Sequence, residues 1–171
     1  FFTRKKPVER VLREVRDIRV RYPNAKISLI AHSFGTFIFS KILENSEIIF
    51  HRVVLCGSII PESFRRAKFS GQLGSDDILN DCGTHDIWPP LAKSSTWGYG
   101  ASGTFGFGGV GIRDRFNKFT HSQYFDKAFV ENHWLPFLHD GEIVPTEWEK
   151  ERSSAPWWQS MLAVFPLKYI I

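Results

Sequence analysis

The segment Ile27-Ser28-Leu29-Ile30-Ala31-His32-Ser33-Phe34-Gly35-Thr36-Phe37 constrains this chain more than any other. Ile27, Leu29 and Ile30 form a short apolar run, the mark of a parallel strand covered on both faces. Phe34 to Leu43 reads as a helix. Between the two stands Ser33, with Ala31 two residues before it and Gly35 two residues after. Small side chains there suit a sharp turn in which strand and helix nearly touch. A serine at the apex is forced into a strained backbone conformation, and its hydroxyl is pushed out of the fold. The same residues also suit an ordinary strand-to-helix turn with serine as the N-cap.

The rest of the chain alternates in the same way. Residues 8–22 read as a helix with Val8, Val11, Leu12, Val15 and Ile18 on one face, stopped by Tyr22-Pro23-Asn24. Strands are predicted over 27–30, over 52–56 (ended by Gly57) and over 78–82, with a polar link at 62–76. Residues 94–112, rich in Gly and Ser, are expected to hold a long loop and one twisted strand. A helix is predicted over 122–138, capped by Ser122. This order implies an α/β fold with a mostly parallel sheet and flanking helices. The 171 residues suffice for one domain with a real core, and 139–171 read as a C-terminal extension of unassigned packing.

Charge and composition narrow the partners. The net charge of +4 is concentrated in residues 4–26, where the arginines lie off the apolar face. No aromatic residues interleave with them, so nucleic-acid binding is not expected. The 16 Phe, 6 Trp and 4 Tyr predict an aromatic core. Cys56 and Cys82 lie in or beside apolar runs and suit buried free thiols in a reducing, cytoplasmic setting, although one disulfide also fits the count. Gly98-x-Gly100-x-x-Gly103 and Gly106-x-Gly108-x-x-Gly111 match a dinucleotide fingerprint, but neither follows a clear strand and opens a helix, so no cofactor is expected. No HExxH or CxxC pair occurs, and no metal is expected. The segment from Trp157 to Ile171 is apolar but broken by Pro166 and Lys168, too short to span a bilayer. It is expected to pack on the core, with contact to a membrane surface unsupported.

Ala31-His32-Ser33-Phe34-Gly35 resembles the nucleophile elbow G-x-S-x-G of the α/β-hydrolase family, with alanine in place of the first glycine. In that family the acid and then the histidine follow the serine in chain order. Gly83-Thr84-His85-Asp86-Ile87-Trp88-Pro89 resembles the family's acid-bearing loop and matches Asp86 to the acid. Asp81, inside the preceding strand, is the alternative. Phe119-Thr120-His121-Ser122 resembles the loop that carries the histidine ahead of the final helix. His133, within that helix beside Trp134, is the alternative and suits packing better.

The resemblance implies a serine esterase or lipase-like hydrolase acting on a small-molecule carboxylic ester, thioester or lipid-like substrate. Ser33 would be the nucleophile, Asp86 the acid, His121 the base and the Phe34 N–H one oxyanion donor. Phe37 and Trp88 would border an apolar substrate pocket. It further implies that the chain corresponds to the C-terminal part of such a domain. The second oxyanion donor would then come from upstream of Phe1, either that segment or a partner chain would cover the sheet edge, and the activity would belong to the intact protein, this chain alone being a poor catalyst. Two other readings stand beside it. One is a non-catalytic α/β-hydrolase-like interaction domain. The other is an unrelated α/β fold, in which Ser33, Asp86 and His121 would lie far apart.

Overall fold

The computed structural model describes residues 4–73, 78–109, 111–147, 155–165 and 167–169. Its frame is a four-stranded sheet, entirely parallel, with strands in chain order. β1 is Leu29–His32, β2 Val53–Cys56, β3 Ile78–Gly83 and β4 Arg113–Asn117. Consecutive strands are joined by crossovers, so all four carboxyl ends lie along one edge of the sheet, where ligands gather in open α/β folds.

Alternation along the strands separates two cores. Val53, Leu55 and Ile78 pack with Ala31, and against Val15, Phe39, Ile42 and Leu43. Those last four belong to helices α1 (Lys5–Arg21) and α2 (Phe34–Asn45), which therefore cover one face. Val54, Cys56 and Leu79 point the other way, onto Tyr124, Phe129, Trp134 and Phe137. Of the apolar face predicted for the first helix, Val8 and Val15 are buried, Val11 and Leu12 pack on the core, and Ile18 is exposed.

Several boundaries differ from the sequence reading. β1 begins two residues later than the predicted strand, because its ladder runs only where β2 lies opposite, from the Leu29–Val53 pair to the His32–Cys56 pair. Residues 94–112 hold no strand among those described. Helix α3 (Trp88–Ser95) enters the region and a short helical turn, α4 (Ser102–Phe105), follows. The last strand comes later, in the charged run Arg113-Asp114-Arg115-Phe116-Asn117.

The glycines in that region have a packing role. A side chain at Gly103 would overlap the backbone of Gly57 and Ser58, and one at Gly100 would overlap Ile60 and Pro61. Composition alone therefore does not account for them.

The predicted helix over 122–138 is broken. Gln123–Phe125 is a 3-10 turn, and Ser122 makes no capping hydrogen bond. Asp126 is the cap instead, its side chain accepting from the Phe129 N–H at the start of α5 (Lys127–Phe129). A π-helical segment, Val130–Trp134, then leads into α6 (Leu135–Asp140). The Leu135 N–H reaches back to the Val130 carbonyl, one residue further than in an α-helix. Pro136 follows without an N–H of its own, a site at which helices bulge. Beyond it, α7 (Trp157–Val164) buries Gln159 and Ala163.

Cys56 and Cys82 are free and buried. Burial, reinforced by nearby carboxylates, raises both thiols well above their usual range, so they stay protonated.

Candidate active site

Ser33 stands between the end of β1 and the start of α2. Its N–H still bonds the ladder, to the Cys56 carbonyl at 3.1 Å. Its own carbonyl accepts from the Thr36 N–H at 3.0 Å and from Thr36 Oγ1 at 2.6 Å. The chain must turn from strand to helix within this one residue. Ser33 consequently has φ 51° and ψ −119° and is the one non-glycine with positive φ among the described residues. Such a conformation costs on the order of 1–3 kcal/mol and persists only where its surroundings enforce it.

The neighbours explain how the turn is tolerated. A Cβ on Gly35 would stand 4.0 Å from the Ala31 Cβ, ordinary contact. Alanine therefore fits at 31, opposite a glycine at 35.

Asp86 and His121 meet above the ends of β3 and β4. Asp86 follows β3 in a tight turn closed by its own N–H to the Gly83 carbonyl at 2.9 Å. Its side chain is fully buried. Oδ1 accepts the Trp88 N–H at 3.0 Å. Oδ2 lies 2.8 Å from His121 Nδ1 and also accepts from the Tyr124 hydroxyl at 3.4 Å. Burial, and then the Asp86 charge, push the Tyr124 phenol well above its ordinary range, so it remains a donor. Thr104 Oγ1, from α4, donates to the Asp86 carbonyl at 2.8 Å. With its Nδ1–H given to a carboxylate, the His121 ring leaves Nε2 as its basic nitrogen.

Two contacts tie this pair to the Ser33 turn. His32, the preceding residue, lies with its ring centroid 4.5 Å from that of His121. Gly57 directly follows Cys56, the ladder partner of the Ser33 N–H. It has φ +54°, and a Cβ there would stand 3.1 Å from Asp86 Oδ2 and 3.1 Å from His121 Cε1. The three predicted residues thus gather at one edge of the sheet, on the ends of β1, β3 and β4, around the end of β2.

Comparison with family models, curated proteins and solved structures returns no match.

The competing residues lie elsewhere. Asp81 is enclosed by Arg115, Asn117 and Trp134. His133 stacks on Phe129, ring centroids 4.6 Å apart. Burial, and then the Arg115 charge, hold its imidazole below the usual value. Trp88 is exposed, with its ring 6.1 Å from that of His121. Phe37 is buried, stacked on Phe34 at 5.7 Å. It lines a groove of about 660 Å³ between α1, α2 and Trp97, together with Arg4, Val8, Leu12 and Lys41. Among the described residues, no group of three or more His, Cys, Asp or Glu side chains is arranged to hold a metal ion.

The sequence reading missed Gly57, Tyr124, Thr104 and the contact made by His32. Gly57 carried one visible signal, a glycine closing an apolar strand. The other three act across the sheet, where local sequence carries no mark of them.

Proposed function

We propose that this chain carries the acyl-transfer centre of a serine hydrolase of the α/β-hydrolase type. Ser33 Oγ is the nucleophile, His121 Nε2 its general base, and Asp86 the carboxylate that orients the imidazole and stabilises its charge. The observation that carries the reading is the Asp86–His121 hydrogen bond, reached in the chain order serine, acid, histidine and standing beside a strained serine. Structural turns rarely hold a serine at positive φ, and a buried carboxylate paired to a half-buried histidine fixes a tautomer suited to proton transfer.

The chemistry follows from the parts. Ser33 Oγ attacks the ester carbonyl while its proton passes to His121 Nε2. The resulting imidazolium gives that proton to the departing alkoxide, leaving an acyl-enzyme. Water then attacks the acyl carbon as His121 takes its proton; the bond to Ser33 Oγ breaks, the imidazolium returns the proton to Oγ, and the carboxylic acid is released. Phe34 is the first residue of α2, so its N–H has no acceptor within the helix and sits at the positive end of the helix dipole. It is the donor best placed for the oxyanion. Acyl transfer of this kind requires no cofactor. The expected substrate is a small-molecule ester or thioester, or a lipid-like ester, with an apolar group against Trp88.

A fluorophosphonate probe tests the reading. Ser33 in the wild type takes the label, identified by peptide mass, and Ser33→Ala does not. A folded full-length protein that neither takes label nor cleaves aryl esters would make this domain a non-catalytic interaction module.

A further inference from the structure

We propose that His32 is a positioning residue for His121: the side chain that precedes the nucleophile latches the backbone of the base across the whole sheet. The inference rests on the serine hydrolase reading and deepens it. His32 Nε2 lies 2.8 Å from the His121 carbonyl oxygen, although 89 residues separate them. β1 and β4 are the two edge strands, with β2 and β3 between them. Only contacts along the carboxyl edge can join their ends, and this is one.

Among the described residues, the loop bearing His121 is also anchored on either side of that residue. The His85 N–H holds the Phe119 carbonyl at 3.2 Å, and the Thr120 N–H is held by Gln123 Oε1 at 2.8 Å. At residue 121 itself the bond comes from His32. Two torsions separate the His121 backbone from its ring. With Nδ1 fixed by Asp86, holding the carbonyl leaves the imidazole little freedom. The His32 ring adds a wall, tilted 46° against His121 at 4.5 Å, and is itself held by Phe125, edge-on at 5.2 Å. In a proton-transfer centre, a displacement of about 1 Å costs on the order of 100-fold in rate.

The chemistry of the contact fixes the proton. A carbonyl oxygen can only accept, so Nε2 of His32 carries hydrogen. The ionisable groups facing this ring are His121, Asp86 and Tyr124. Burial above all, with the proximity of His121, lowers the His32 imidazole below its usual value. A neutral His32 places no second positive charge beside a base that must itself become cationic.

The test uses His32→Phe, which keeps a ring but has no donor, and His32→Gln, whose amide nitrogen can reach the carbonyl and does not titrate. Two signals are read on the whole chain: steady-state hydrolysis of a p-nitrophenyl ester, and the downfield proton resonance of His121 Nδ1–H on Asp86. In His32→Phe, kcat should fall about 10-fold with KM within about twofold, and the resonance should broaden by exchange. His32→Gln should restore kcat to within about threefold of wild type and keep the resonance sharp. Wild-type kcat and an unchanged resonance in His32→Phe would overturn the proposal. So would equal losses in both variants that track a common fall in melting temperature. If the wild type has no hydrolytic activity, the functional reading fails, and the resonance alone decides whether His32 holds His121.

Discussion

Asp81 is closed in by Arg115, whose Nε and Nη2 lie 2.7 and 2.8 Å from its two carboxylate oxygens. Both side chains are fully buried. Asn117 Nδ2 and Trp134 Nε1 complete the shell at 3.1 and 2.6 Å, and Arg115 Nη1 donates to the Val144 carbonyl at 3.0 Å. The pair joins β3, β4 and the π-helical segment. It also explains why Asp81, five residues before Asp86, does not meet a histidine: its lone pairs are already taken.

Removing the Asp81 charge should therefore damage stability far more than chemistry. Asp81→Asn leaves a buried guanidinium without its counter-charge, a loss of about 3–5 kcal/mol. Urea denaturation of wild type and variant measures it. A double variant, Asp81→Leu with Arg115→Met, should lose much less than the sum of the singles, because no orphaned charge remains. Strict additivity would show that the pair is not coupled.

His121 and His133 should separate by what they change. His121→Ala removes the proposed base and should lower ester turnover by about 10⁴-fold or more, with little change in melting temperature. His133→Ala removes a ring stacked on Phe129 and should lower the melting temperature by several degrees while kcat stays within about threefold. Turnover lost in a well-folded His133→Ala, and kept in His121→Ala, would reverse the assignment.

What was legible in the sequence was the part set by short-range sterics. The turn at Ser33 is dictated by Ala31, Gly35 and the apolar run before them, and its strain at φ 51° is a local property. The meeting of Asp86 with His121 was legible only through chain order, since 35 residues part them. β4 was not legible, because Arg113-Asp114-Arg115-Phe116-Asn117 has the composition of a loop. Its charges are satisfied at a distance, Arg115 by Asp81, and Asp114 by the Phe107 and Gly108 N–H groups and Asn80. The break in the helix after 122 was hidden for a different reason. Ser122 and Asp126 are both good caps, and the choice between them was settled by Tyr124 and Phe129 entering the core.

Stability should decline on both sides of neutrality. Burial lowers the imidazoles of His32 and His133 from their ordinary 6.5. Unfolding frees both to take protons, so their contribution is complete above pH 6.5 and is lost as pH falls below it. Burial raises Tyr124 above 10.0 and Cys56 and Cys82 above 9.0. Their contribution is complete below pH 9 and is lost as pH rises and the unfolded chain ionises first. Denaturation free energies at pH 5.5, 7.5 and about 10 should therefore peak at the middle value. His133→Phe should flatten the acid limb, and an acid limb unchanged in that variant would remove His133 from the account.

Gly57 offers the sharpest test of the site's geometry. Its φ of +54° already favours glycine. A methyl group there would stand 3.1 Å from Asp86 Oδ2 and 3.2 Å from His121 Nδ1, tighter than either atom allows without moving. Backbone strain should cost Gly57→Ala about 1 kcal/mol of stability. The displacement of the carboxylate–imidazole pair should cost turnover more, about 10- to 100-fold in kcat. Fluorophosphonate labelling of Ser33 should slow in proportion, because the proposed base would activate the serine in both reactions. Gly103→Ala, which presses α4 onto the backbone of Gly57 and Ser58, should slow both reactions in the same ratio. If Gly57→Ala labels and turns over at the wild-type rate while losing only stability, then Gly57 shapes the turn after β2 and has no bearing on Asp86 and His121.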